Sequence, residues 1–229
     1  MLVLKNRVPK FLVLGLMSMT VLLGACTKKF DAQPEPPEGN LKVKVVNSVI
    51  DSDPQDFYQN DSKISTSPVS FGQISSYLTV RSGAKYLNFR NSGTATVKAS
   101  ILTNLPVDSY FTVFYAKDIN GDGVIVGGGD DKTTVTGKAK IRFIHLNSFL
   151  TNNITVKPDG GSAIVDNLQY TRVYNYVTAD PAVALNVTYS GSNSPIVIPA
   201  GTLTAGKNYT IWFSGTSINN PDYHIIVQE

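Results

Sequence analysis

The 229-residue chain carries 20 Lys plus Arg against 17 Asp plus Glu, a formal charge of +3, with 42% hydrophobic residues and a single cysteine. One cysteine excludes a disulfide framework within the chain. The near balance of charge excludes a surface built for a strong polyanion, so no nucleic-acid partner is expected.

In chain order, the first element is a basic head (Lys5, Arg7, Lys10) followed by an apolar run from Phe11 to Leu23. This is the layout of a secretory signal, too short to span a bilayer comfortably. Leu23-Gly24-Ala25-Cys26 closes it and resembles the lipobox of bacterial lipoproteins, in which the cysteine thiol receives a diacylglyceryl group. An ordinary signal peptide would leave the sole cysteine at that position unexplained. Residues 1–25 are therefore read as a lipoprotein signal peptide and Cys26 as a lipidated membrane tether. Each buried CH₂ of an acyl chain contributes about 0.8 kcal/mol to that anchoring. Removal of the signal takes Lys5, Arg7 and Lys10 from the 20 basic residues and leaves 17 against 17, a mature charge near zero. The expected location is the cell envelope, lipid-anchored at the outer membrane, with surface and periplasmic faces both open.

Residues 26–40 follow as a flexible linker, since Pro34, Pro36 and Pro37 stand among charges with almost no apolar residues. From Leu41 on, short runs rich in Val, Ile, Thr, Tyr and Phe alternate with Gly, Asn, Asp, Ser and Pro, which is strand-and-turn texture. Two halves correspond. "VKVVNS" from Val43 matches "IRFIHL" from Ile141 at an offset of 98, and "FGQISSY" from Phe71 matches "YTRVYNY" from Tyr170 at 99. "YLNF" at 86–89 matches "ALNV" at 184–187, and "YFTVFY" at 110–115 matches "YTIWFS" at 209–214. Four blocks that keep one offset to within a residue predict an internal duplication. The fold class read from this is all-β: two tandem immunoglobulin-like β-sandwich modules of about seven strands each. Module 1 spans 41–128, a linker 129–137, and module 2 138–229. In "YTIWF", Tyr209, Ile211 and Phe213 point one way and Thr210 and Trp212 the other, with Trp212 expected to pack inside its own sandwich.

Several blocks resemble one family. "GKAKIRFIHLNS" (137–148) is similar to the opening strand of the domain of unknown function 4397, common in Bacteroidetes envelope lipoproteins. "AGKNYTIWFSG" (205–215) resembles its late strand and "DFYQND" (56–61) its hairpin. The second half lacks the aspartate of that hairpin, and the first half lacks the Ala-Gly-Lys lead-in to its late strand. The resemblance implies two copies of a β-sandwich envelope domain and no assigned activity.

Catalytic motifs are thin, and neither His145 nor His224 falls in one, so no enzyme is expected. Two stretches invite a ligand. In "KDINGDGVIVGGGDD" (117–131), Asp118, Asn120 and Asp122 alternate ahead of Gly123 as in a calcium loop, with Asp130 a late substitute for the missing glutamate. Without a metal, the same residues make a good hairpin turn. Otherwise no cofactor is expected. In "YTRVYNY", alternation gives Tyr170, Arg172, Tyr174 and Tyr176 one face, where Arg172 and Tyr174 have aromatic and hydrogen-bonding chemistry for a sugar. A structural role for that face competes. The functional expectation is a non-enzymatic lipoprotein that presents its modules to a glycan, matrix or protein ligand. The alternative is an accessory subunit of a periplasmic or outer-membrane assembly.

Overall fold

A strand with one face on a core and one in water alternates buried and exposed residues. Several strands of this chain do not. Positions 112–116, 141–145 and 208–215 are buried without a break, so these strands need cover on both faces. The computed structural model, which describes residues 38–191 and 195–228, shows how they get it. The signal, Cys26 and most of the linker lie outside the described residues.

The described residues are all-β and form four four-stranded sheets. Sheet I has the order β4 (Leu78–Arg81), β1 (Asn40–Asn47), β7 (Tyr110–Lys117), β8 (Gly123–Gly129). Sheet II runs β3 (Ser62–Lys63), β2 (Gln55–Gln59), β5 (Gly83–Asn91), β6 (Val97–Leu105). Sheet III runs β12 (Val173–Ala179), β9 (Ala139–His145), β15 (Asn208–Ser217), β16 (Asn220–Gln228). Sheet IV runs β11 (Val165–Leu168), β10 (Ile154–Pro158), β13 (Leu185–Tyr189), β14 (Ile196–Ile198). Adding eight to each strand number of sheets I and II reproduces sheets III and IV. Each half has one parallel pair, β1 with β7 and β9 with β15, and the registers agree: Val46 faces Phe114 as Ile144 faces Trp212.

Three apolar cores hold these sheets. The first joins sheets I and II around Val43, Val45, Phe57, Phe89, Val113 and Tyr115. The second joins sheets III and IV around Ile141, Phe143, Val156, Val187, Ile211 and Phe213. The third lies between sheets I and III and contains Val46, Phe114, Val126, Ile144, Trp212 and Ile226. The layers therefore stack II–I–III–IV, and the two middle sheets bury both faces. Trp212 is here a correction to the expectation from sequence. Its indole meets Phe114 at 5.8 Å and Phe71 at 6.3 Å, against the first half of the chain and outside its own sandwich core. The alternation of β15 holds, but its second face looks at another sheet.

Beyond the apolar part of that contact lies a buried polar one. Arg142 (β9) reaches Asp130, just past β8, at 2.7 Å, and the two side chains are 3% and 0% exposed. Its other guanidinium nitrogens donate to the carbonyls of Gly128 and Gly129 and to the Thr210 hydroxyl. Asp130 also accepts from Thr112 (2.8 Å) and from the Tyr77 hydroxyl (2.9 Å). Burial, then the Asp130 charge, pushes the Tyr77 phenol far above its usual range, so it stays a donor. Only a fully hydrogen-bonded ion pair offsets the cost of desolvating two charges, and this one is satisfied from both halves. Asp130 lies in the segment 129–137 expected as a linker, which at this point is a buried fastening.

Candidate functional site

Asp118, Asn120 and Asp122 sit in the turn joining β7 to β8. There Asp118 accepts hydrogen bonds from the N–H groups of Asn120 and Asp122, both at 2.9 Å, and Gly121 supplies the positive φ of 86°. Asp130 is at the other end of β8, seven strand residues away, or roughly 20 Å at the rise of an extended chain. Held by Arg142, it is not brought to the turn, which corrects the four-residue calcium set. Among the described residues, no group of three or more His, Cys, Asp or Glu gathers to hold a metal ion.

The aromatic face on β12 is also corrected. The strand begins only at Val173, and Tyr170 lies in the turn before it. Tyr174 pairs with Phe143 but Val177 with Ile141, so one extra residue bulges opposite Arg142. A bulge flips the alternation behind it. Tyr174 then packs against the core of sheets III and IV, whereas Tyr176 turns the other way and lies 5.3 Å from the Arg142 guanidinium. Tyr170 donates to the Lys117 carbonyl (2.7 Å). Arg172 is exposed, and the structure does not bring it onto one face with the tyrosines.

Both histidines are built into the packing. His145 is 0% exposed; its Nε2 donates to the Asn152 carbonyl at 3.0 Å, and its edges meet Tyr170 and Tyr189. Burial pushes its imidazole down to about 4, against a weaker upward pull from the Asn152 hydrogen bond. His224 stacks on Trp212 at 3.8 Å and lies 2.8 Å from the Ser214 hydroxyl. Its value is also lowered, chiefly by burial. A serine and a base at that distance have the geometry of an activated nucleophile. Ser214, however, is only 4% exposed. The pair escaped the sequence because it depends on the register of β15 with β16.

Since the middle sheets are covered, only sheets II and IV turn a broad face to solvent. The two differ. On sheet IV the outer face carries Thr155, Lys157, Asn186 and Thr188, with Val197 the large apolar side chain. On sheet II, Tyr86 and Leu102 stand directly opposite each other on β5 and β6, 52% and 57% exposed. One row over, Tyr58 pairs with Asn88 and lies beneath Arg90 at 4.3 Å. Arg90 is neutralised by Asp61 (2.9 Å) and Lys63 by Asp56 (2.8 Å). The result is a patch of Tyr58, Tyr86 and Leu102 with Asn60, Ser100 and Asn104 exposed beside it and Lys98 further along β6. Alternation alone does not flag it, because outward positions on a sheet are usually polar and Tyr fits either class.

No curated protein matches the chain. Among solved structures, the crystal structure of the carbohydrate-binding module CBMbc (family CBM26) from Eubacterium rectale Amy13K, in complex with maltoheptaose, aligns with 83% of this chain and 97% of that one. The identity is 12% and the TM-score 0.24, too low to establish a common fold. A family model described as domain of unknown function matches residues 41–157, just over half the chain, from β1 into β10. The chain belongs to the DUF4397 family.

Proposed function

We propose that the protein is a non-enzymatic, lipid-anchored cell-envelope protein of the Bacteroidetes type, which binds a neutral glycan on the outer face of sheet II. In this reading residues 1–25 are the signal, Cys26 is the anchor and 26–40 the stalk. Residues 41–128 and 138–229 are two immunoglobulin-like copies of the family domain, joined through 129–137. The recurrence of strand order at a shift of eight supports the duplication.

One observation carries the ligand reading: Tyr86 and Leu102 form an exposed cross-strand pair on sheet II where sheet IV offers no aromatic side chain. Tyrosine presents an apolar ring with a polar tip, and amide side chains beside it supply hydrogen bonds to hydroxyl groups. With Arg90 and Lys63 already paired, the patch suits an uncharged ligand better than an acidic polymer.

The test is binding of fluorescent neutral polysaccharides (a β-glucan, a xylan, a mannan and an α-glucan) to cells carrying the full chain. At least one should label wild-type cells and lose roughly tenfold in affinity with Tyr86→Ala, while Val197→Ala on sheet IV changes nothing. Labelling only after the outer membrane is opened would assign the protein to the periplasmic side. No labelling by any of the four, before or after opening, would refute the glycan reading.

A further inference from the structure

β16 is the outermost strand of sheet III, nine residues long and paired on one side only, with β15. Two features indicate which of its backbone groups face outward. Pro221 has no N–H to give to β15, and the Val227 carbonyl accepts from the Lys44 ammonium at 3.2 Å. Strand alternation then turns the N–H and C=O groups of Tyr223 and Ile225 outward as well. Among the described residues, no backbone group beyond the strand's own sheet bonds to either, and the Tyr223 N–H donates locally to the Asp222 carboxylate.

That edge borders a hollow of about 420 Å³, walled on the far side by residues 74–77 of the first half. Ile74 and Val227, on opposite walls, are 41% and 40% exposed. Lys44 is the one charged residue lining the hollow. Its ammonium lies 4.5 Å from the Tyr77 ring and takes part in no ion pair among the described residues. A long open edge is ordinarily blunted by charge, proline or a covering segment. Here Pro221 protects the start of the edge and Lys44 its end, and between them only the Tyr223 N–H is met, by the carboxylate of its neighbour Asp222 at 2.7 Å.

We propose that this edge docks an extended, acidic peptide segment of a partner protein, which adds to sheet III as a fifth strand beside β16. The main-chain groups of Ile225 and the Tyr223 carbonyl supply the ladder, and the Tyr223 N–H joins it by exchanging the Asp222 carboxylate for a carbonyl of the incoming strand. Alternate side chains of the incoming strand cover Ile74 and Val227, and a carboxylate meets Lys44. Backbone pairing gives affinity in such strand addition, and the side-chain contacts give selectivity. This site is separate from the patch on sheet II and does not depend on a glycan ligand.

The experiment uses the full chain and a fluorescein-labelled ten-residue peptide of alternating valine and threonine with one central aspartate. Fluorescence anisotropy should show saturable binding. A peptide with lysine in place of the aspartate should bind at least tenfold more weakly, and one N-methylated at alternate residues should not bind. Lys44→Glu should reverse the preference between the aspartate and lysine peptides, an outcome that loss of folding cannot mimic. Amide exchange should slow at Tyr223 and Ile225 when the peptide is present. Absence of binding by both charged peptides, or binding that ignores Lys44→Glu and leaves those two amides unchanged, would overturn the proposal. Tyr86→Ala should leave every one of these readouts as in the wild type.

Discussion

His145 shows what a single residue does at the end of a strand. Its ring is enclosed by Tyr170 and Tyr189, and the folded protein holds it neutral because burial lowers its value to about 4 from an ordinary 6.5. The unfolded chain takes up a proton near 6.5 and the folded one only near 4. Stability is therefore fully present above about pH 6.5 and falls as the pH drops toward 4, by on the order of 3 kcal/mol in total. His224, also lowered, adds to the same slope. Carboxylates act below that window: Asp131, held down to about 2 chiefly by its hydrogen bond from Lys140, loses its contribution only as the pH falls from about 4. Denaturant titrations at pH 7, 6, 5 and 4.5 should show the wild type losing stability at each step. His145→Asn, which copies the residue at the matching position Asn47, should be less stable at pH 7 and much flatter below it. Parallel curves for the two proteins would mean that His145 is not the group responsible. The position itself was legible from the 98-residue offset. Its enclosure was not, because the two tyrosines come from elements distant in the chain.

At the scale of elements, the β7–β8 turn was placed correctly between its strands, and only its chemistry was open. Asp118 accepts two backbone N–H groups, Asp118 N–H donates to the Asp122 carbonyl, and Gly121 N–H closes on the Asp118 carbonyl. One carboxylate oxygen is thus committed to the turn itself, the usual role of aspartate at such positions. Asp118→Ala should cost about 1 kcal/mol, the net worth of such hydrogen bonds at a partly exposed site. Millimolar calcium should leave the melting temperature of both proteins where it was. A rise of several degrees in the wild type that disappears in Asp118→Ala would show the turn to be a metal loop after all. β12 illustrates the opposite case. Its alternating tyrosines read as one face, and a single bulged residue opposite Arg142 sends Tyr174 to the core of sheets III and IV and Tyr176 to the Arg142 guanidinium. Nothing in Tyr-Asn-Tyr announces a bulge, since the cause lies in the partner strand and the guanidinium it carries.

At the scale of the molecule, the sequence did contain a sign that the two sandwiches are not beads on a string. Unbroken apolar runs such as Val113–Ala116 and Ile211–Phe213 exceed what a sheet with one wet face requires. The offset between the two halves assigns them to separate modules, with Gly127, Gly128 and Gly129 at the boundary with the expected linker. In the structure those glycines belong to β8, and two of them offer their carbonyls to Arg142. The third core and the Arg142–Asp130 pair should make unfolding one cooperative event. Calorimetry of the wild type should give a single transition. Asp130→Ala leaves a guanidinium that is 3% exposed without its counter-charge, a change that costs about 3–5 kcal/mol for buried pairs. Arg142→Met alone should cost a similar amount by stranding the carboxylate. The double variant should cost less than the sum of the two, because each single change already forfeits the same pair. If the halves were independent, Asp130→Ala would instead split the trace into two peaks and leave one at the wild-type temperature. A single peak displaced as a whole means that the two sandwiches unfold as one unit, held by the third core and the buried ion pair between sheets I and III.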